Sequence, residues 1–316
     1  MKAVFMGTPE IAATILTSVL ESEHEILAVV TQPDKPKGRG HEMAFPPVKE
    51  VALAHGIPVL QPAKARDAEF LEQLRQLNPD IVLVAAYGKM LPKELLDMPR
   101  FGCINVHTSL LPKYRGASPI QWAVINGDEK SGVTIQHMAE AMDTGDIILT
   151  QEVILDKDET AGSLHDKFAA IGGPLLIEAM EAISTGRAPR IPQKEEDATY
   201  VKILDKSMGN LDFTMPAAAL ERLVRGLNPW PSAFTKLEGK MLKIWKAQVR
   251  PAEEVPKEMK HYLPGTIICV EKDGIGILTG DGILFVTELQ LEGKRKMTTE
   301  EFLRGFSLAE GAVLGR

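Results

Sequence analysis

Over the first part of the chain, short apolar runs alternate with stretches whose apolar residues recur every three or four positions. Lys2–Met6 predicts a strand, Pro9–Glu21 a helix with proline in its first turn, and Glu25–Gln32 the next strand. Asp67–Leu77 predicts a helix with Phe70, Leu71, Leu74 and Leu77 on one face. Asp80–Tyr87 is the most apolar segment and fits a central strand covered on both sides. Gly102–His107 is a further short strand, and Ser118–Gly127 reads as a helix with Ser118 as cap. Val133–Met138 and Ile147–Leu155 predict two more strands, and Ser163–Ser184 a long helix. Strands alternating with helices in this way predict an α/β, Rossmann-like domain around a mostly parallel sheet.

The pattern breaks between Gly186 and Lys206, where Pro189, Pro192 and the cluster Lys194-Glu195-Glu196-Asp197 fall close together. We expect a first domain over 1–188, a linker over 189–208 and a second domain over 209–316. The second opens with a helix near Pro216–Gly226 and continues in short β runs: Ala233–Leu237, Leu242–Val249, Thr266–Glu271, Gly276–Leu278 and Ile283–Leu289. Glycines punctuate these runs as in a small barrel, and a helix near Thr298–Arg304 follows.

Composition changes this picture little. The 316 residues are 44% hydrophobic and 25% charged, which suits globular domains and excludes disordered or collagen-like readings. The longest apolar runs, such as Ile81–Ala86, fall far short of a membrane span, and the opening residues read as strand and turn rather than a leader. Cys103 and Cys269 have no metal-ligand spacing and make no secreted disulfide framework, so a cytoplasmic location is expected. Net charge is −7, against indiscriminate nucleic-acid binding. It is uneven: residues 207–316 hold 15 basic and 14 acidic side chains, residues 1–206 hold 21 and 29. A nucleic-acid partner would have to be met by local basic patches.

The densest candidate chemistry lies in Cys103–Gly116. On a strand Asn105 and His107 share a face, at a strand end where open α/β sheets place their ligand crevice. An amide donor beside an imidazole suits acyl transfer, whose tetrahedral intermediate develops an oxyanion. The same two residues could equally hold a turn and fill the core. Met142-Asp143-Thr144-Gly145-Asp146 offers a carboxylate to orient the imidazole and carry a proton, or simply makes a tight turn. Spacing alone does not choose between Asp143 and Asp146.

Asn-x-His, then Ser-Leu-Leu-Pro-x-x-x-Gly, then Asp-x-Gly-Asp downstream resembles the signature of the folate-dependent formyltransferases. The resemblance implies Asn105, His107 and Asp143 as catalytic residues. It implies 10-formyltetrahydrofolate as formyl donor, with no metal. The pterin ring would be held largely by backbone groups of Ala86, Tyr87, Gly88, Lys89, Met90 and Leu91 and of Ala139–Asp143. Ser109, Leu110, Leu111 and Pro112 would line the same pocket. Gly7-Thr8-Pro9, Thr31-Gln32-Pro33-Asp34, Gly38-Arg39-Gly40, Ala86-Tyr87-Gly88 and Asn228-Pro229-Trp230-Pro231 extend the resemblance over nearly the whole chain. They point to the branch acting on methionyl initiator tRNA in translation initiation, whose C-terminal region is an OB-like barrel. Glycinamide ribonucleotide enzymes share the catalytic core and end where the linker begins.

The loop Asp34–Val48 is basic and rich in glycine and proline, suited to phosphate contact through Lys35, Lys37 and Arg39. In the family the matching loop reaches toward the acceptor stem, and Arg39 is the counterpart of its essential arginine; His41-Glu42 limits the basic patch. Lys206, Arg222, Arg225, Lys240, Lys243, Lys246 and Lys294-Arg295-Lys296 are further candidate tRNA contacts, each an ordinary exposed charge unless they form one patch. A monomer is expected.

Other readings fare worse. A nicotinamide oxidoreductase would need Gly-x-Gly-x-x-Gly after the first strand, and no P-loop is present. A metal site from His107, His137 and Asp143, or a Cys103–His107 acyl-enzyme, is conceivable, though direct attack by an amine needs neither. Two alternatives keep the fold: a formyltransferase acting on an amino sugar or nucleotide-sugar, and a non-catalytic RNA-binding protein.

Overall fold

A computed structural model describes residues 1–37 and 42–315. Packing divides the chain into two units, one of 1–119, 130–154 and 164–201, the other of 120–129, 155–163 and 202–316.

The first unit is built on a seven-stranded sheet in the order Ile147–Ile154, Lys130–His137, Cys103–His107, Ile81–Ala85, Lys2–Gly7, Glu25–Val30, Val59–Leu60. The five strands from Cys103–His107 to Val59–Leu60 run parallel, and the other two join antiparallel. Ile81–Ala85 is buried at every position because both its faces are covered, which is why it reads as an unbroken apolar run. On one face Val4, Met6, Val82, Val84 and Cys103 pack with Phe70, Leu71 and Leu74 of the Ala68–Leu77 helix. On the other, Gly172 of the Ala161–Ser184 helix comes against Ile15 and Val106. The α/β, mostly parallel expectation thus holds.

Three departures from the sequence reading stand out. Lys35–Lys37 and Glu42–Ala44 pair as an antiparallel ribbon, and Pro47–Ala54 forms a short helix with Val48 and Ala52 buried. The third is the stretch expected to be a linker. Ile191 bridges Ile147, and Tyr200–Val201 pairs in parallel with Arg115–Gly116, so residues up to 201 pack into the first unit. Prolines and charges there do break helix and strand periodicity, yet extended segments need only hydrogen-bond partners to be held.

The second unit carries an antiparallel sheet in the order Ala233–Leu237, Lys240–Arg250, Ile283–Leu291, Ile275–Leu278, Ile267–Val270, with Met297–Thr298 added to Ile283–Leu291. Its core gathers Leu220 and Val224 of the Ala217–Gly226 helix with Ile244, Ile277, Leu284, Val286 and Leu289. The Thr299–Leu303 helix is fixed by a capping box between Thr298 and Glu301. Among the described residues no helix is long and apolar enough to cross a membrane.

Candidate active site

The Cys103–His107 strand lies at the junction of the parallel and antiparallel parts of the sheet, with Asn105 opposite Gln136 and His107 opposite Thr134. Directly opposed residues project to one face, so these four side chains form a polar row across the two strands. Buried polar groups require partners, and His107, Thr134 and Gln136 find theirs in the loops beyond the row. Thr134 Oγ1 donates to Ser109 O (2.7 Å) and accepts from the Leu111 N–H (3.1 Å), fixing the start of the loop after the strand.

His107 is buried beneath that loop. Its Nε2 lies 3.0 Å from Tyr114 O, and a carbonyl can only accept, so Nε2 carries a proton. Nδ1 lies 3.6 Å from Asp143 Oδ1, a little beyond direct hydrogen bonding. A proton on Nδ1 would therefore face a carboxylate across a short gap. The Asn105 amide makes no side-chain hydrogen bond among the described residues, which leaves its N–H free as a donor.

Asp143 is held from two sides. Oδ1 accepts from Gln136 Nε2 (3.0 Å), and Oδ2 accepts from the Gly116 main-chain N–H (2.9 Å). The residue itself is left-handed, with φ at 55°, a conformation that aspartate tolerates better than most. Two positions on, a Cβ at Gly145 would collide with His137 O, so the turn closes only on glycine. The structure separates the two acids of the Asp-x-Gly-Asp motif. Asp143 faces His107, whereas the Asp146 main chain accepts from the His137 N–H, on the neighbouring strand. Burial, with Arg190 nearby, pulls the His137 imidazole below its ordinary pKa, and the Asp146 charge opposes this.

The residues expected around a folate are placed unevenly. Tyr87 and Leu91 turn into the apolar core, and burial with the nearby Asp67 charge pushes the Tyr87 phenol up to about 12. Tyr87 O accepts from Gln32 Nε2 (3.0 Å) and Thr8 Oγ1 (3.3 Å). Ala86 and Gly88 are left-handed, at 46° and 78°, and Met90 is exposed. The main-chain groups of Gly88, Lys89, Met90 and Leu91 make no hydrogen bond among the described residues, and neither do those of Ala139 and Glu140. Such runs of free donors and acceptors suit a heteroaromatic ring with polar edges. Ser109 is fully buried, its hydroxyl donating to Lys113 O (2.6 Å), while Leu111 is buried and Leu110 and Pro112 are half-buried. An open groove of about 710 Å³, bordered by Leu96, Cys103, Met138, Ala139, Glu140 and Arg190, adjoins the 139–140 loop but contains none of Asn105, His107 and Asp143.

Cys103 is excluded as a nucleophile. Its Sγ lies 3.6 Å from Leu95 O, and burial, with the Asp97 charge, pushes the thiol up to about 12. Among the described residues no group of three or more His, Cys, Asp and Glu side chains is arranged to hold a metal ion. Lys35 is exposed, its Nζ donating to Gln32 Oε1 (3.1 Å), and Lys37 enters the ribbon. Arg39 lies outside the described residues. Lys206 is exposed at the start of a 3₁₀ turn in the second unit.

The sequence reading missed Gln136, Gln193 and Arg115 as parts of the site. Gln193 Nε2 donates to Asp143 O and Gly145 O, each at 2.8 Å, and Arg115 Nε donates to Gln193 Oε1 (3.0 Å). Alternation along the Lys130–His137 strand could have placed Gln136 on the catalytic face; no local signal marks Gln193.

An acid, an imidazole and a free amide at the end of a parallel sheet, with an antiparallel barrel downstream, define a formyl transferase of two domains. Residues 1–180 match the family described as Formyl transferase, and 203–307 match Formyl transferase, C-terminal domain. The chain is 52% identical over 317 residues to a methionyl-tRNA formyltransferase of Lachnospira eligens, covering 100% of both chains. It is 50% identical over 315 residues to one of Clostridioides difficile, again covering 100% of both. Among solved structures it resembles an N-formyltransferase of Helicobacter canadensis in complex with folinic acid and dTDP-3-aminofucose, with a TM-score of 0.66 and 17% identity over 94% of this chain and 100% of that one. The chain belongs to the methionyl-tRNA formyltransferase family.

Proposed function

We infer that the chain transfers the formyl group of 10-formyltetrahydrofolate to the α-amino group of methionyl initiator tRNA, in the cytoplasm and as a monomer. The observation that carries the chemistry is the 3.6 Å gap between His107 Nδ1 and Asp143 Oδ1, on the face that also bears the free Asn105 amide. An uncharged α-amine is a fair nucleophile near neutral pH, because such groups titrate near about 7.7–8.0. As its nitrogen bonds to the formyl carbon, the carbonyl oxygen becomes an oxyanion. The Asn105 amide donates to it, and Nδ1–H of a protonated His107 is the ring's one remaining donor. Asp143 accepts the proton that the amine sheds and stabilises the imidazolium. That proton returns to the departing N10 as the carbon–nitrogen bond breaks, so no covalent enzyme intermediate forms.

The free main-chain groups of 88–91 and 139–140 support pterin recognition there, with Ala86, Tyr87 and Ser109–Pro112 shaping the surrounding backbone. Lys35, Lys37, Arg39 and Lys206 are assigned to tRNA phosphate contact, residues 1–188, extended by the packing of 189–201, to a catalytic domain and 209–316 to a tRNA-binding domain. The test offers methionyl initiator tRNA, glycinamide ribonucleotide and a dTDP-amino sugar in parallel with 10-formyltetrahydrofolate. Formylation of the tRNA alone is expected. Formylation of the amino sugar instead would overturn the acceptor while leaving the chemistry in place.

A further inference from the structure

Arg115 is the largest fully buried side chain among the described residues, 1% exposed, and sits within a catalytic loop without touching the catalytic groups. Its Nη1 donates to both Glu195 carboxylate oxygens (3.1 and 2.8 Å) and to Tyr200 Oη (2.7 Å), so the charge is compensated where it is buried. Its Nε donates to Gln193 Oε1. Guanidinium has no acceptor, so it forces the Gln193 amide to present oxygen toward Arg115 and nitrogen away. The two hydrogens of that nitrogen meet Asp143 O and Gly145 O, and Gln136 Oε1 at 3.4 Å shares one of them. With its oxygen engaged there, Gln136 has its nitrogen left for Asp143 Oδ1.

We propose that Arg115, Gln193 and Gln136 form an orienting relay that fixes the Asp143 carboxylate toward His107, making the two glutamines positioning residues for the transfer step. Each amide could sit in two orientations; the donor-only guanidinium and the acceptor-only carbonyls of Asp143 and Gly145 select one for Gln193, and Gln193 with the Asp143 carboxylate selects that of Gln136. The Gly116 N–H, next to Arg115, holds the other carboxylate oxygen, so a single dipeptide controls Asp143 from both ends. Glu195 and Tyr200 fasten the chain that carries Gln193, and Tyr200–Val201 pairs with Arg115–Gly116 to lock its register. The relay rests on the acyl-transfer reading of the site for its kinetic meaning, but not for its geometry.

Gln193→Met and Gln136→Met remove the hydrogen bonds at nearly constant volume. Each is expected to lower kcat about 10- to 50-fold while KM for folate and for methionyl-tRNA stays within about twofold. Gln193→Glu keeps the acceptor for Arg115 and loses the donors, so it should fall with Gln193→Met rather than rescue it. The double variant should lose less than the product of the single losses, because both act through one carboxylate. Unchanged kcat with a lowered Tm, a rise in KM alone, or fully multiplicative losses would overturn the relay. A crystal structure of Gln193→Met reads the same proposal without activity: a rotated Asp143 carboxylate is expected, and an unmoved one sinks it. If the unaltered protein formylates no methionyl-tRNA, the functional reading fails while this structural arm still decides the relay.

Discussion

The catalytic end of the parallel sheet and the antiparallel barrel solve the burial of polar groups in different ways. Around His107 and Asp143, groups distant in sequence satisfy one another: the Gly116 main-chain N–H with Asp143, Gln136 with Gln193, Arg115 with Glu195. In the barrel the main chain is satisfied largely by its own ladder, and buried hydroxyls such as those of Thr279 and Thr299 donate to nearby main-chain carbonyls. Its charges remain at the surface, as where Lys243 and Lys296 flank the Trp245 ring at 5.5 and 5.6 Å. The difference teaches where each region is vulnerable. Removing one group from the first leaves a neighbour unpaired and misdirected; removing one group from the second leaves a cavity or thins a charge patch.

The largest effect is expected at the reacting groups. His107→Ala and Asp143→Asn should each lower kcat about 10²- to 10⁴-fold, the usual range for general acid–base groups, with tRNA binding retained in a filter or gel-shift assay. Comparable turnover in either variant would break the comparison at its strongest point. Leu220→Ala, in a fully buried barrel position, should cost about 2–5 kcal/mol in denaturant unfolding of the barrel, with the His107–Asp143 geometry untouched. A loss below about 1 kcal/mol would mean the barrel core collapses onto the gap more readily than its packing implies. The smallest effect belongs to Lys206→Ala, which should raise KM for tRNA a few-fold and reduce the slope of log affinity against log salt by about one. An unchanged slope would remove Lys206 from the phosphate contacts.

What sequence made visible follows the same division. Strands such as Ile81–Ala85 and the amphipathic Ala217–Gly226 helix announce themselves, because burial writes apolar residues at the period of the element. Asn105, His107 and Asp143 were legible as a motif in order, and the structure brings His107 and Asp143 together while setting Asp146 apart. Gln193 was not legible. Its partners lie about 50 to 80 residues away in the chain, and pairing by hydrogen bonds leaves no periodicity in a stretch of prolines and charges. The Pro47–Ala54 helix was missed because only Val48 and Ala52 mark its buried side, although proline at its first position is a usable sign. Nor does the motif announce that the Tyr87 ring enters the core while its carbonyl is taken by Gln32 and Thr8.

The placement of Gln193 also bears on when the protein becomes competent during its own synthesis. Ribosomes emit chains from the N-terminus at about 5–20 residues per second, and domains fold as they emerge. A nascent chain that has reached residue 188 already contains Asn105, His107 and Asp143 with every strand of the parallel sheet. It lacks the amide that holds the Asp143 main chain and the Glu195 carboxylate that neutralises Arg115. The last seconds of translating this unit thus align a site whose reactive groups were laid down long before.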